Sequence, residues 1–170
     1  MIKKIVLFAL LLIPVGMMAQ ESKIAYVNSA EIIQAMPEFT AMQTQIQTEQ
    51  AAVEKEMQTL SEEYSKKYEA FMAESESLTE SIRERRLQEI QNIEERAQTF
   101  AQKSQQSLVQ LQQSLFLPIR EKIQKALTSV GDANNFSYIL DVSSEAGIVV
   151  YVNPNSVDAT SLVKKELGIQ

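Results

Sequence analysis

Residues 38–129 read EFTAMQTQIQTEQAAVEKEMQTLSEEYSKKYEAFMAESESLTESIRERRLQEIQNIEERAQTFAQKSQQSLVQLQQSLFLPIREKIQKALTS, and this stretch decides the fold. It contains no glycine, its only proline is Pro118, and good helix formers such as Gln, Glu, Ala, Lys and Leu dominate it. Its apolar residues recur at steps of three and four. Such a narrow, continuous stripe is typical of a helix in a coiled coil. The stretch therefore predicts α-helix over most of its length.

The serine-rich segment 75–81 is the weakest helical part and lies near the middle of this stretch. An unbroken helix would be far longer than those of globular proteins. We therefore expect a turn near 75–81 that folds two arms into an antiparallel hairpin, each arm roughly 55–75 Å long at 1.5 Å per residue. Because neither glycine nor proline marks the break, a continuous helix kinked at this point is the alternative.

The apolar stripe has polar gaps at Glu49, Arg86 and Ser104. Regions with few buried apolar contacts open most easily, so the arms are expected to bend and open locally. Pro118 lacks an N–H donor and is expected to kink the second arm near the body.

A short β-forming segment precedes the arms. Ile24 and Tyr26 favour a strand, and Asn28 after them is a good N-cap for a short helix that reaches Pro37. The long helix restarts at this proline, which is tolerated in a first helical turn.

The last 40 residues change character. The segment 131–135 (GDANN) is expected to end the long helix, after which 136–142 and 148–152 predict two strands of a β-hairpin. A short helix over 159–167, stopped by Gly168, would close the chain.

The resulting fold class is α+β: a small oligomerising β body, residues 20–37 and 131–170, carries a long antiparallel helical arm, residues 38–130. We expect the arms to project away and leave the sheet with little apolar cover, so subunit association is the simplest remedy. The residues predicted to form the sheet and the subunit contacts are Ile24, Tyr26, Ile139, Val149 and Tyr151.

The first residues predict export. Lys3 and Lys4 precede the apolar run 5–13, and the small residue Ala19 follows, which is the order of a cleavable secretory signal, residues 1–19. The run is shorter than the ~20 apolar residues of a spanning helix, which disfavours the alternative of a transmembrane anchor. We expect cleavage after Ala19 and a periplasmic product.

Composition excludes several functions. The sequence has no His and no Cys, which removes His-dependent and Cys-dependent catalysis, the usual zinc sites and any disulfide. Loss of Lys3 and Lys4 with the signal leaves 14 Lys and Arg against 22 Asp and Glu, a net charge of −8, which disfavours nucleic acid as a partner. With only four glycines there is no Gly-rich phosphate loop. We therefore expect no enzyme, no metal and no cofactor, although carboxylate-only catalysis stays a minor alternative.

Four segments of the sequence resemble the Skp or OmpH family of periplasmic chaperones. They are 23–28 (KIAYVN), 98–105 (QTFAQKSQ), the return from Pro118 to Asp141, and 150–163, which contains VYVNP and DAT. Each motif alone is weak, and their order and spacing make the resemblance specific.

The resemblance implies a homotrimer whose arms hang like tentacles around a central cavity. It implies that unfolded outer-membrane β-barrel proteins are held there without ATP. It does not extend to charge, because well-studied members are basic and this chain is acidic.

The predicted turn carries a local basic cluster, Arg83, Arg85 and Arg86. These arginines either steer clients or a membrane surface, or simply balance nearby glutamates on a solvated helix face. The acidic chain weakens the case for a membrane surface as a partner. Met72 lies near the tip and suits varied apolar contacts because its side chain is flexible. The predicted client-binding residues are Met72, Leu78, Ile82, Arg83, Arg85 and Arg86.

The chief alternative function is a structural coiled-coil adaptor or spacer of the envelope. The arms do not distinguish the two functions. The terminal β segments favour the chaperone, because a spacer does not need them.

Overall fold

The computed structural model describes residues 23–143 and 149–169, so the predicted signal segment lies outside the described residues. The α+β fold with a long helical hairpin is confirmed. In chain order the elements are β1 (Lys23–Val27), α1 (Ser29–Ala35), α2 (Pro37–Glu74), α3 (Glu80–Asn134), β2 (Phe136–Asp141), β3 (Val157–Asp158) and α4 (Thr160–Glu166).

Helices α2 and α3 form the hairpin and are 38 and 55 residues long. At 1.5 Å per residue they measure about 57 and 82 Å. The connecting turn lies at residues 75–79. Ion pairs between Glu38 and Lys122 near the body and between Glu74 and Arg86 near the turn define the antiparallel alignment.

Helix α3 contains Pro118 and continues to Asn134, so it ends within the predicted segment 131–135. Asn135 ends it by adopting a left-handed conformation, φ 54°, and its N–H donates to the carbonyls of Asp132 and Gly131. Asn tolerates this backbone region better than most residues.

The sheet has the strand order β2-β1-β3, and both pairings are parallel. Parallel strands require long connections. The entire helical hairpin is the connection between β1 and β2. The central strand β1 therefore pairs with two strands that each lie more than one hundred residues later in the chain. Ala25, for example, pairs with Ile139 on one edge and with Val157 on the other.

The predicted β-hairpin between 136–142 and 148–152 is wrong. Residues 149–152 form no strand, and residues 144–148 lie outside the described part of the chain. Val150 and Tyr151 are 92% and 75% exposed. The free edge of β1 pairs instead with Val157–Asp158, the residues immediately before α4. β-propensity mainly reflects fit to a half-buried surface, and the packing of α4 decides which segment reaches that surface.

The inner face of the sheet is covered within the chain, so the expectation that the arms leave it bare is wrong. Ala25 and Val27 of β1 are buried against the base of the hairpin and the two short helices. The base of α3 supplies half of the principal buried residues. The principal buried residues packed with β1 are Ile32, Met36, Met42, Ile119, Ile123, Ala126, Val130 and Val163.

Asp141 joins the end of β2 to the start of α1. Its carboxylate accepts hydrogen bonds from the N–H of Ser29 at 3.2 Å, from the Ser29 hydroxyl at 2.5 Å and from the N–H of Ser143 at 2.9 Å. Burial raises the pKa of Asp141, but the hydrogen bonds from Ser29 and Ser143 outweigh it, so the pKa lies below its usual value. A carboxylate at a helix N-terminus is also favoured by the helix dipole.

We expect Asp141→Asn to reduce the free energy of unfolding by about 1 kcal/mol near neutral pH. This value is low for hydrogen bonds to a charged group because Asp141 is partly exposed. Because the pKa of Asp141 is lowered by folding, its carboxylate stabilises the fold at pH values above 3.8, the pKa of Asp141 in the unfolded chain. That contribution is lost as pH falls through the folded-state pKa. The difference between wild type and variant in urea unfolding should therefore shrink at acidic pH. Glu121→Gln, at an exposed carboxylate of α3, is the control. A difference that does not change with pH would contradict this role.

Candidate functional site

The seam between α2 and α3 is thinly packed. Along the distal arm its buried apolar residues are Leu60 of α2 and Ile90 and Ile93 of α3. Ser104 is also buried, at 9% exposure, whereas Glu49 is exposed. Of the polar gaps in the apolar stripe, Ser104 is therefore a small residue that fills the seam, and Glu49 lies outside the seam.

One side of the distal hairpin is held by ion pairs between the helices. Distances are 3.5 Å for Glu63–Arg96, 2.9 Å for Lys67–Glu89 and 2.8 Å for Glu74–Arg86. The hydrogen bond from Lys67 lowers the pKa of Glu89, and the charge of Lys67 lowers it further. Exposed pairs each contribute little to stability. We call this side, residues 63, 67, 74, 86, 89 and 96, the ionic flank.

The three arginines predicted as a cluster have different surroundings. Arg83 donates from Nη2 to the carbonyl of Ser75 at 2.8 Å and so bridges the turn. Arg86 pairs with Glu74 on the ionic flank, and its side chain is 31% exposed. Arg85 is 71% exposed and 4.0 Å from Glu89. Only Arg85 presents most of its side chain to solvent.

The apolar residues predicted for client binding lie around the tip. Met72 is 55% exposed and Ile82 is 37% exposed, whereas Leu78 in the turn is half-buried. Met72 and Ile82 therefore offer apolar surface close to the turn, in line with the placement expected from the sequence.

The side opposite the ionic flank carries an aromatic pair. The rings of Tyr64 and Tyr68 stack with centroids 5.9 Å apart and an interplanar angle of 9°. Tyr68 is 45% exposed. Burial raises the pKa of Tyr64, and Glu94 of α3 raises it further. Tyr64 and Glu94 also line an open groove of about 320 Å³ together with Met57, Leu60, Ser61, Ile93 and Ala97.

Helical geometry explains why Tyr68 is exposed although it fits the apolar steps of three and four. Each residue advances the helix by about 100°, so Tyr68 lies about 80° around α2 from the buried Leu60 and outside the seam.

The outer face of the sheet is the second exposed apolar surface. Ile24 pairs with Tyr138 and Tyr26 pairs with Leu140, so the four residues share one face. Ile24, Tyr138 and Leu140 are 48%, 64% and 43% exposed, and Tyr26 is half-buried. We call these four residues the outer sheet face.

The other residues predicted for the sheet and subunit contacts lie elsewhere. Ile139 packs against the core of its own chain, on the inner side. Val149 is half-buried and Tyr151 is exposed, both outside the sheet. Tyr138 and Leu140 were missed by the sequence reading. Side chains alternate between the two faces of β2, so Ile139 lies on one face and Tyr138 and Leu140 lie on the other. This alternation is the sequence signal that indicates Tyr138 and Leu140.

The sequence matches the family described as outer membrane protein (OmpH-like) over residues 23–167. The chain belongs to the OmpH-like family. The resemblance seen in the sequence is confirmed.

The OmpH-like fold is also found in a solved structure. A candidate outer membrane chaperone (OmpH-like) from Caulobacter crescentus CB15 superposes with a TM-score of 0.73. The alignment covers 85% of this chain and 82% of that chain at 17% identity. At that identity the likeness supports the fold. No curated protein sequence matches this chain.

Within 23–143 and 149–169 no cluster of acidic residues has the arrangement of a metal site. No helix in the same ranges is long and apolar enough to span a membrane.

We expect Arg83→Gln to loosen the turn without unfolding the body, because it removes the bond to the Ser75 carbonyl. Hydrogen exchange of amides in residues 75–79 should accelerate, while exchange in the sheet stays unchanged. Arg85→Gln is the matched control, because Arg85 is 71% exposed and lies away from that carbonyl. Equal exchange rates in the two variants would contradict a bridging role for Arg83.

Proposed function

We propose that this protein is an ATP-independent periplasmic holding chaperone. In this proposal three chains assemble through their sheets, and the hairpins surround a cavity that binds unfolded outer-membrane β-barrel proteins. The observation that carries the proposal is a long, thinly packed hairpin with exposed apolar side chains, built on the body of an OmpH-like chain.

The outer sheet face supports assembly. Ile24, Tyr138 and Leu140 form a contiguous apolar surface. Strand β2, which carries Tyr138 and Leu140, is also an edge strand of the sheet. Exposed edges and apolar sheet faces invite pairing with another chain. Association through this face would bury apolar area and bring the hairpins of several chains to one side of the body.

The hairpin supports a holding mechanism. A holdase binds the unfolded state and lowers its free concentration below the level at which it aggregates. Many weak, adaptable contacts suit this task, and exposed Met72 and Leu87 provide such contacts on the distal arm. Binding and release then depend on mass action, with no nucleotide.

Light scattering tests the function directly. A urea-unfolded outer-membrane β-barrel protein is diluted with and without the mature chain, whose mass is measured by sedimentation. Suppressed scattering at about one oligomer per client supports the proposal. Unchanged scattering in the presence of a well-folded oligomer would reject it and favour the adaptor or spacer function.

We expect Tyr138→Asp to dissociate the oligomer, since it places a charge at the centre of the apolar outer sheet face. Sedimentation should show the monomer mass, with helical content preserved in circular dichroism. Ser161→Asp adds the same charge at an exposed position of α4 and should leave the mass unchanged. An unaltered mass for Tyr138→Asp would exclude this face as the subunit contact.

A further inference from the structure

The distal hairpin has two chemically different sides. The ionic flank uses its charges within the hairpin, in three pairs between α2 and α3. The opposite side carries Met57, Ser61, Tyr64, Tyr68 and Met72 along α2, at successive steps of four, three, four and four residues. On α3 it carries Leu87, Ala97 and Glu94, and Glu94 lines the groove beside Tyr64. We call this side the aromatic flank.

The aromatic flank leaves large apolar side chains partly exposed to solvent. Tyr68, Met72 and Leu87 are 45%, 55% and 41% exposed. The stacked tyrosines form a flat apolar surface with hydroxyl groups at its edge, and the methionines add flexible contacts. Such a combination suits the binding of apolar segments of variable sequence better than the binding of one partner of fixed shape.

Charge restricts which partner this flank accepts. Residues 49–96 contain 13 acidic and 7 basic residues, a net charge of −6, whereas 37–48 and 97–134 together contain 3 acidic and 4 basic residues, a net charge of +1. The negative charge of the hairpin is thus concentrated in its distal part. A second copy of the same flank or an anionic membrane would meet like charge, which disfavours both.

We propose that the aromatic flank is the client-contacting side of each hairpin and that it binds apolar segments of unfolded polypeptide whose flanking residues are neutral or basic. This inference rests on the proposed chaperone function and specifies the side of the arm and the client chemistry. The ionic flank, in contrast, keeps the two helices together and faces away from the client.

Site-specific cross-linking distinguishes the two flanks. A photoreactive residue replaces Ser61 on the aromatic flank or Ala70 on the ionic flank, both exposed positions of α2. In the assembled protein with a urea-unfolded outer-membrane β-barrel client, position 61 should cross-link the client several-fold more than position 70. Equal yields, or chain-to-chain cross-links at 61 without client, would overturn the proposal.

Affinity provides an independent readout. Tyr68→Gln with Met72→Gln should weaken client binding about tenfold, as expected for loss of two large apolar contacts. Ala70→Gln with Ala73→Gln introduces the same side chains at exposed positions outside the aromatic flank and should bind like wild type. Circular dichroism confirms that both variants are folded.

The charge preference is tested with two fluorescent peptides that share an apolar centre and end in lysines or in glutamates. The lysine peptide should bind wild type about tenfold more tightly, and this advantage should shrink at high salt. No preference, or binding of wild type to anionic vesicles in place of the peptide, would reject the stated chemistry.

The outcomes separate the two proposals. If wild type fails to hold any unfolded client, the chaperone function itself fails. If wild type holds the client but the Tyr68 and Met72 double variant holds it equally well, the function stands and the assignment of the aromatic flank is wrong.

Discussion

The structure depends on the burial of one short strand. Ala25 and Val27 of β1 pack against Ile119 and Ile123 at the base of α3, and the same strand carries β2 and β3 on its two edges. This contact joins β1 to residues about one hundred positions later in the chain. It anchors both ends of the hairpin, so the rest of the two long helices extends beyond the sheet with little further support.

The hairpin combines an anchored base with a weakly packed distal part. Near the sheet, apolar residues of both helices belong to the core of the body. Farther out, few apolar residues are buried, and ion pairs such as Lys67–Glu89 supply much of the contact between the helices. Because exposed ion pairs are individually weak, the distal arm is the part of the fold most free to adapt to a bound chain.

The candidate site was only partly accessible from the sequence. Met72 and Ile82 were recognised as tip residues because they lie beside the serine-rich segment. The sequence left open whether Arg83 and Arg86 steer clients or balance nearby glutamates. Their partners, the Ser75 carbonyl and Glu74, belong to the turn and to the facing helix and become visible only when the hairpin closes. Tyr138 was missed because the exposed side of β2 depends on which face the helices cover.

The sequence by itself determined the two long helices, the serine-rich segment between them, the N-cap at Asn28 and the glycine stop at Gly168, since these follow from local periodicity and backbone preference. Tertiary structure decided which segments became strands. Residues 148–152 have the stronger β-propensity, yet Val157–Asp158 pairs with β1. The packing of Val163 in the core positions α4, so only the residues directly before that helix reach the free edge of β1.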